Sequence, residues 1–107
     1  MTIIAIPTQN SRGRHSAIAE TLSRARMITL VRVNGKPVVE ETLDNPFFQH
    51  THGAGPLLAN HLRTLGVEQV IAKQVGPGSK SHLESLGIKI IIDPDIDRVE
   101  QALKSLY

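Results

Sequence analysis

The residues best equipped for chemistry lie in one stretch, Asn45-Pro46-Phe47-Phe48-Gln49-His50-Thr51-His52-Gly53-Ala54-Gly55-Pro56. His50 and His52 are two apart, so in an extended segment both imidazoles point to one side, as in short loops that present paired metal ligands. Gly53 and Gly55 let the backbone approach a ligand closely, and Pro56 suits a first helical position, where its missing N–H costs nothing. The free N–H groups of that first turn, with the helix dipole behind them, attract negative charge. The same residues equally describe a polar loop whose glycines only make the turn.

A second candidate is Gly76-Pro77-Gly78-Ser79-Lys80-Ser81. It lacks the phosphate-loop spacing of two glycines four residues apart before Lys-Ser, and so reads as a generic anion-binding helix start. His15 is a further candidate metal ligand on a polar loop. His82 and His61 read as solvated or structural. Arg12, Arg14, Arg24 and Arg26 could pair with an anion or form a solvated basic face.

Nucleophilic catalysis finds no support, because Ser11 or Ser16 beside His15 has no orienting acid and no GxSxG occurs. Two-metal nuclease chemistry needs carboxylates on the central strands. The first strand, Ile3 to Pro7, has none, and Asp93, Asp95 and Asp97 cluster after the last strand. The expectation is a protein that is not an enzyme.

Composition narrows the classes further. The chain has 107 residues, enough for one domain spanning 1–107, with 40% apolar and 21% charged residues. A net charge of +2 is too weak to argue for duplex nucleic acid, and only Phe47, Phe48 and Tyr107 could stack on bases. Cysteine is absent, which excludes disulfides, thiolate zinc sites and cysteine-ligated iron–sulfur clusters. Any metal must use His, carboxylate or backbone. Met1 to Pro7 reads as a strand and not as a signal peptide, and no apolar run is long enough to span a membrane. A cytoplasmic location follows as an expectation.

The elements that must position these residues follow from apolar runs and breakers. Thr2 to Pro7 reads as a buried strand, and Ser16 to Arg24 as a short helix. Met27 to Val33 and Val38 to Leu43 flank Asn34-Gly35, a strong hairpin signal. Pro56 to Leu65 reads as a helix closed by Gly66, then Val67 to Ala72 as a strand. A helix from Gly76 to Leu86 ends at Gly87, Ile88 to Ile92 is a strand, and Asp93-Pro94-Asp95 opens a last helix with Ile96, Val99, Leu103 and Leu106 on one face. The expected fold is α/β, a mixed five-stranded sheet with helices on its faces. The loops at Thr8 to His15, Asn45 to Gly55, Val75 to Ser81 and Asp93 to Asp95 would emerge at one end, where open α/β sheets bind ligands. His15, His50 and His52, with His82 as a further candidate, would face that cleft.

Asn45-Pro46, His52-Gly53-Ala54-Gly55-Pro56 leading into Leu57-Leu58-Ala59, Leu65-Gly66-Val67, Val70-Ile71-Ala72, Val75-Gly76-Pro77-Gly78 and Leu86-Gly87-Ile88-Lys89-Ile90 form an ordered set. In order and spacing it resembles the dinitrogenase iron–molybdenum cofactor biosynthesis domains, the NifX-like and NifB C-terminal-like proteins. The resemblance implies a single ribonuclease-H-like, three-layer domain with the order β-β-β-α-β-α-β-α. It implies non-catalytic binding or carriage of an iron–molybdenum or iron–sulfur type cluster, passed between donor and acceptor proteins. Many members carry His-Phe-Gly before the second strand. Here Thr21-Leu22-Ser23 stands in that place. A receiving site for such an anionic cluster would draw on His52, Gly53, Gly55, Gly76, Gly78, Ser79 and Lys80, with His50, His52 and His15 as metal ligands. The alternative is a small regulatory or protein-interaction module that binds a partner or an anionic metabolite through the same loops.

Overall fold

A computed structural model describes residues 2–49 and 53–104. Five strands form one sheet in the order β3-β2-β1-β4-β5: β1 Thr2–Thr8, β2 Met27–Asn34, β3 Lys36–Asp44, β4 Gln69–Ala72 and β5 Lys89–Ile92. β2 runs antiparallel to both neighbours, while β1, β4 and β5 are mutually parallel. With β3 aligned to β1, four strands end on the same side. This is the expected ribonuclease-H-like arrangement.

Alternation along each strand divides the apolar residues between two faces. Ala5, Ile28, Leu30 and Val70 lie under α1 Ala54–Thr64 and α2 Pro77–Ser85, against Leu58, Ala59, Leu62 and Leu83. Ile4, Ile6, Val31 and Ile71 lie under the short α3 Val99–Lys104, against Val99, Ala102 and Leu103. The three layers follow from burying both faces of a central sheet. Pro37 sits on the edge strand β3, where a missing N–H breaks no interior ladder. Gly66 and Gly87 end α1 and α2 at positive φ, in the expected places.

Two local expectations are corrected. Ser16 to Arg24 forms no helix. Ala17 bridges Arg98 and Ile18 bridges Thr8, both antiparallel. Gln9 N donates to Ala17 O and Ala19 N to Pro7 O, while Ile18 N donates to Asp97 O and Val99 N to Ser16 O. A backbone bonded on both sides has no groups left for a helix, whatever its local apolar spacing. The last helix begins at Val99 and not at Asp93. Asp93 Oδ1 accepts from Asp95 N, and Gln101 Oε1 accepts from the N–H groups of Asp97 and Arg98, so the preceding residues form a turn. Ile96 still reaches the α3-side core. Leu106 lies outside the described residues.

Candidate functional site

Chain direction brings both central helix starts to the edge where the strands end. α1 follows β3 and α2 follows β4, so each begins at a strand's carboxyl end. Gly53 caps α1 in the left-handed region, φ 73°, a conformation that side chains with a Cβ resist. Gly76 caps α2 in an extended conformation with Pro77 at the first helical position. Pro56 is the third residue of α1 and not its first, but it remains within the turn where an N–H has no intrahelical acceptor. Among the described residues, neither helix has a side-chain cap or an acidic residue in its first turn. Two helix starts therefore present uncompensated N–H groups toward the same edge.

Gly55 and Ser79 lie where these two helices meet. A Cβ on Gly55 would run into Ser79 Oγ and stand 3.2 Å from its Cβ and 3.3 Å from its Cα. Ser79 is buried accordingly. The absent side chain sets how closely the two helix starts approach. Gly78 and Lys80 are exposed on α2.

His50 and His52 lie outside the described residues. The chain leading toward them is held at Asn45 and the two phenylalanines that follow. Asn45 is buried, and its Nδ2 donates to Ala25 O at 2.8 Å while its Oδ1 accepts from Phe47 N at 2.9 Å. Phe47 meets His61 edge-on, ring centroids 5.9 Å apart, which gives that histidine a packing role. The Arg26 guanidinium lies 5.3 Å from the centre of the Phe48 ring. The other two histidines share no cleft. His15 ends a 3-10 turn, Gly13–His15, with Nδ1 at 3.7 Å from Glu100 of α3 and a side chain 80% exposed. His82 Nε2 meets Asn60 Oδ1 at 3.0 Å across α1 and α2, on the opposite side of the sheet.

The crossing segment at residues 16–19 separates two cavities that the sequence did not reveal. One, of about 560 Å³, is lined by Gln9, Glu20, Lys73, Asp97, Arg98 and Gln101, with Ala17 and Ile18 at its wall. It lies beside the carboxyl ends of β1 and β4, which Gln9 and Lys73 directly follow, at the edge where open α/β sheets bind ligands. The other, of about 430 Å³, shares Gln9 and Glu20 with it and continues to Thr21, Arg24 and Arg26. Lys73, immediately after β4, stands 3.4 Å from Asp97 and 3.9 Å from Glu20. Its position at a strand end was the one available signal; its partners come from distant loops. Both carboxylates are more than three-quarters exposed. Lys73→Met is therefore expected to destabilise by less than about 1 kcal/mol, a melting temperature lowered by at most about 5 °C in a thermal scan.

Among the described residues, no group of three or more His, Cys, Asp or Glu side chains is placed to hold a metal ion. None of their helices is long and apolar enough to cross a membrane.

A family model described as dinitrogenase iron-molybdenum cofactor matches residues 1–107. The chain is 27% identical over 88 residues to an uncharacterised protein of Methanocaldococcus jannaschii, covering 81% of this chain and 70% of that one. Its fold is similar to the apo form of the orange protein from Desulfovibrio gigas, with a TM-score of 0.87 and 26% identity over 99% of this chain and 87% of that one. A NifB-type protein from Thermotoga superposes with a TM-score of 0.78 and 25% identity, again over 99% and 87% of the two chains.

Proposed function

The chain belongs to the dinitrogenase iron-molybdenum cofactor family, and from that premise we propose that it binds and carries an anionic metal–sulfur cluster at the carboxyl edge of its sheet, without catalysing a reaction. The observation that carries this reading is the pair of uncapped helix starts, at Gly53 and Gly76, brought side by side by the contact of Gly55 with Ser79. Their N–H groups suit an anion, and the histidine segment enters α1 beside them. The relative solved in an apo form agrees with a protein that takes up a ligand.

In this reading His52, and His50 beside it, ligate the cargo through imidazole nitrogen. Gly53, Gly55, Gly76, Gly78 and Ser79 form the backbone cradle, with Lys80 contributing charge. His15, beside Glu100 on the α3 side of the sheet, stands apart from this cradle. With no cysteine in the chain, the cargo must keep its own sulfide, and two imidazoles hold it loosely enough for a donor protein to deliver it and an acceptor to remove it. A cytoplasmic site of action accords with such exchange. The second reading, an interaction module, is favoured by one feature: Thr21-Leu22-Ser23 stands where many relatives have His-Phe-Gly.

Anaerobic reconstitution with iron, sulfide and tetrathiomolybdate separates the two. Wild type is expected to retain stoichiometric metal and visible colour after gel filtration, and His52→Ala to lose most of both. Retention of no metal by either protein would sink the carrier reading and leave the interaction module.

A further inference from the structure

The smaller cavity has a chemistry of its own. Arg24 and Arg26 are two apart on either side of the buried Ala25, and both line it. Among the described residues neither guanidinium has a carboxylate within ion-pair distance. Arg26 is oriented by the Phe48 ring at 5.3 Å, a contact that leaves its N–H donors available. Glu20, the sole carboxylate of the lining among the described residues, has Lys73 at 3.9 Å. Asn10 commits its Oδ1 to Ala17 N at 3.1 Å, which leaves its amide N–H groups for the cavity. Thr21 adds a hydroxyl.

The lining thus offers two positive charges, both on exposed arginines, and several donors. Among the described residues its one apolar lining residue is Ala19 and no aromatic ring lines it, so neither a nucleobase nor a peptide side chain finds an anchor there. A guanidinium has no lone pair to give a metal and instead forks hydrogen bonds to paired oxygen or sulfur atoms.

We propose that the cavity of Asn10, Thr21, Arg24 and Arg26 is an anion-receiving subsite, separate from the histidine segment, that takes a tetrahedral dianion through hydrogen bonds to its outer atoms. It rests on the carrier reading only for the identity of the ion, molybdate or its sulfide counterpart; the site itself stands on the cavity and its arginines. Phe48, in the turn just before the histidine segment, packs against Arg26, so an ion held by Arg26 also steadies the approach to that segment.

Titration of ¹⁵N-labelled protein with molybdate, sulfate or phosphate, at constant ionic strength set by chloride, tests this. Saturable shifts are expected at the amides of Asn10, Thr21, Arg24, Arg26 and Phe48. The double variant Arg24→Ala/Arg26→Ala is expected to raise the dissociation constant at least tenfold. Arg12→Ala/Arg14→Ala, which removes the same charge nearby, is expected to leave it within twofold, and peak dispersion reports folding in each case. Preference for molybdate identifies a cargo precursor, and equal binding of all three identifies a general tetrahedral-anion site; both support the proposal. Absence of saturable shifts, equal loss in both double variants, or shifts centred on Gly53 and Gly76 would overturn it. His52→Ala separates this from the carrier reading, because it should keep ion binding while losing the reconstituted cluster.

Discussion

Gly55→Val is expected to destabilise the domain by about 3 kcal/mol, the upper part of the range for overpacking a closed contact. A Cβ at this position meets Ser79, and while Ser79 Oγ can rotate away, its Cβ and Cα at 3.2 and 3.3 Å move only if α2 does. α2 in turn is held by Leu83, which is fully buried against the sheet. The melting temperature should fall by about 10–20 °C, given the small size of the domain. Gly55→Ala should be milder, because the gain in helix propensity, up to about 1 kcal/mol, offsets part of the clash. Ser79→Gly in the Gly55→Val background should recover about 1 kcal/mol or more as a coupling energy in a double-mutant cycle. A Gly55→Val protein that melts within 2–3 °C of wild type, roughly the spread of ordinary surface substitutions, would refute the close-approach role.

Asn45→Ala should cost about 2–3 kcal/mol and weaken cargo retention as well. The side chain is 2% exposed and ties the end of β3 to the segment before β2: Nδ2 donates to Ala25 O at 2.8 Å, and Oδ1 accepts from Phe47 N. Alanine takes the side-chain donor from the buried Ala25 carbonyl and the side-chain acceptor from the Phe47 N–H, and an unmet buried carbonyl is the expensive way to lose a hydrogen bond. The same bonds place Phe47 against His61 and Phe48 against Arg26, so the chain leading into His50 and His52 loses its anchor. Asn45→Asp keeps the acceptor for Phe47 but loses the donor to Ala25 and sets a carboxylate against that carbonyl; it should be at least as damaging. Urea unfolding measures the first effect, and metal retained after anaerobic reconstitution measures the second. Full stability with lost retention would show that Asn45 meets the cargo directly.

Much of the fold was legible because its signals are local. Ile3 to Pro7, the runs around Asn34-Gly35, and the apolar strands after Gly66 and Gly87 each announce themselves within a few residues, and all five strands form. The two central helices start and stop at glycines within two residues of expectation. Ser16 to Arg24 misled because Ala17, Ile18, Ala19 and Leu22 suit a helix face, while the groups that claim their backbone lie at Pro7, Gln9 and Asp97. The cavities were invisible for the same reason. Gln9 and Glu20 lie in the β1–β2 connection, Lys73 follows β4, and Asp97 and Gln101 lie before and on α3, so residues far apart in the chain line the larger one with no common motif.

By itself the sequence determined the α/β class, the family, the exclusion of thiolate chemistry and the two glycine-led helix starts. Each depends on residue type and short-range spacing, to which backbone sterics and hydrophobic periodicity respond directly. Tertiary structure alone decided that Gly55 serves the contact with Ser79, that His15 and His82 part to opposite sides of the sheet, and that Arg24, Arg26 and Thr21 border one cavity. Those facts follow from strand order and from a crossing segment held by long-range hydrogen bonds, and pairings between distant residues leave no periodic mark on the chain that makes them.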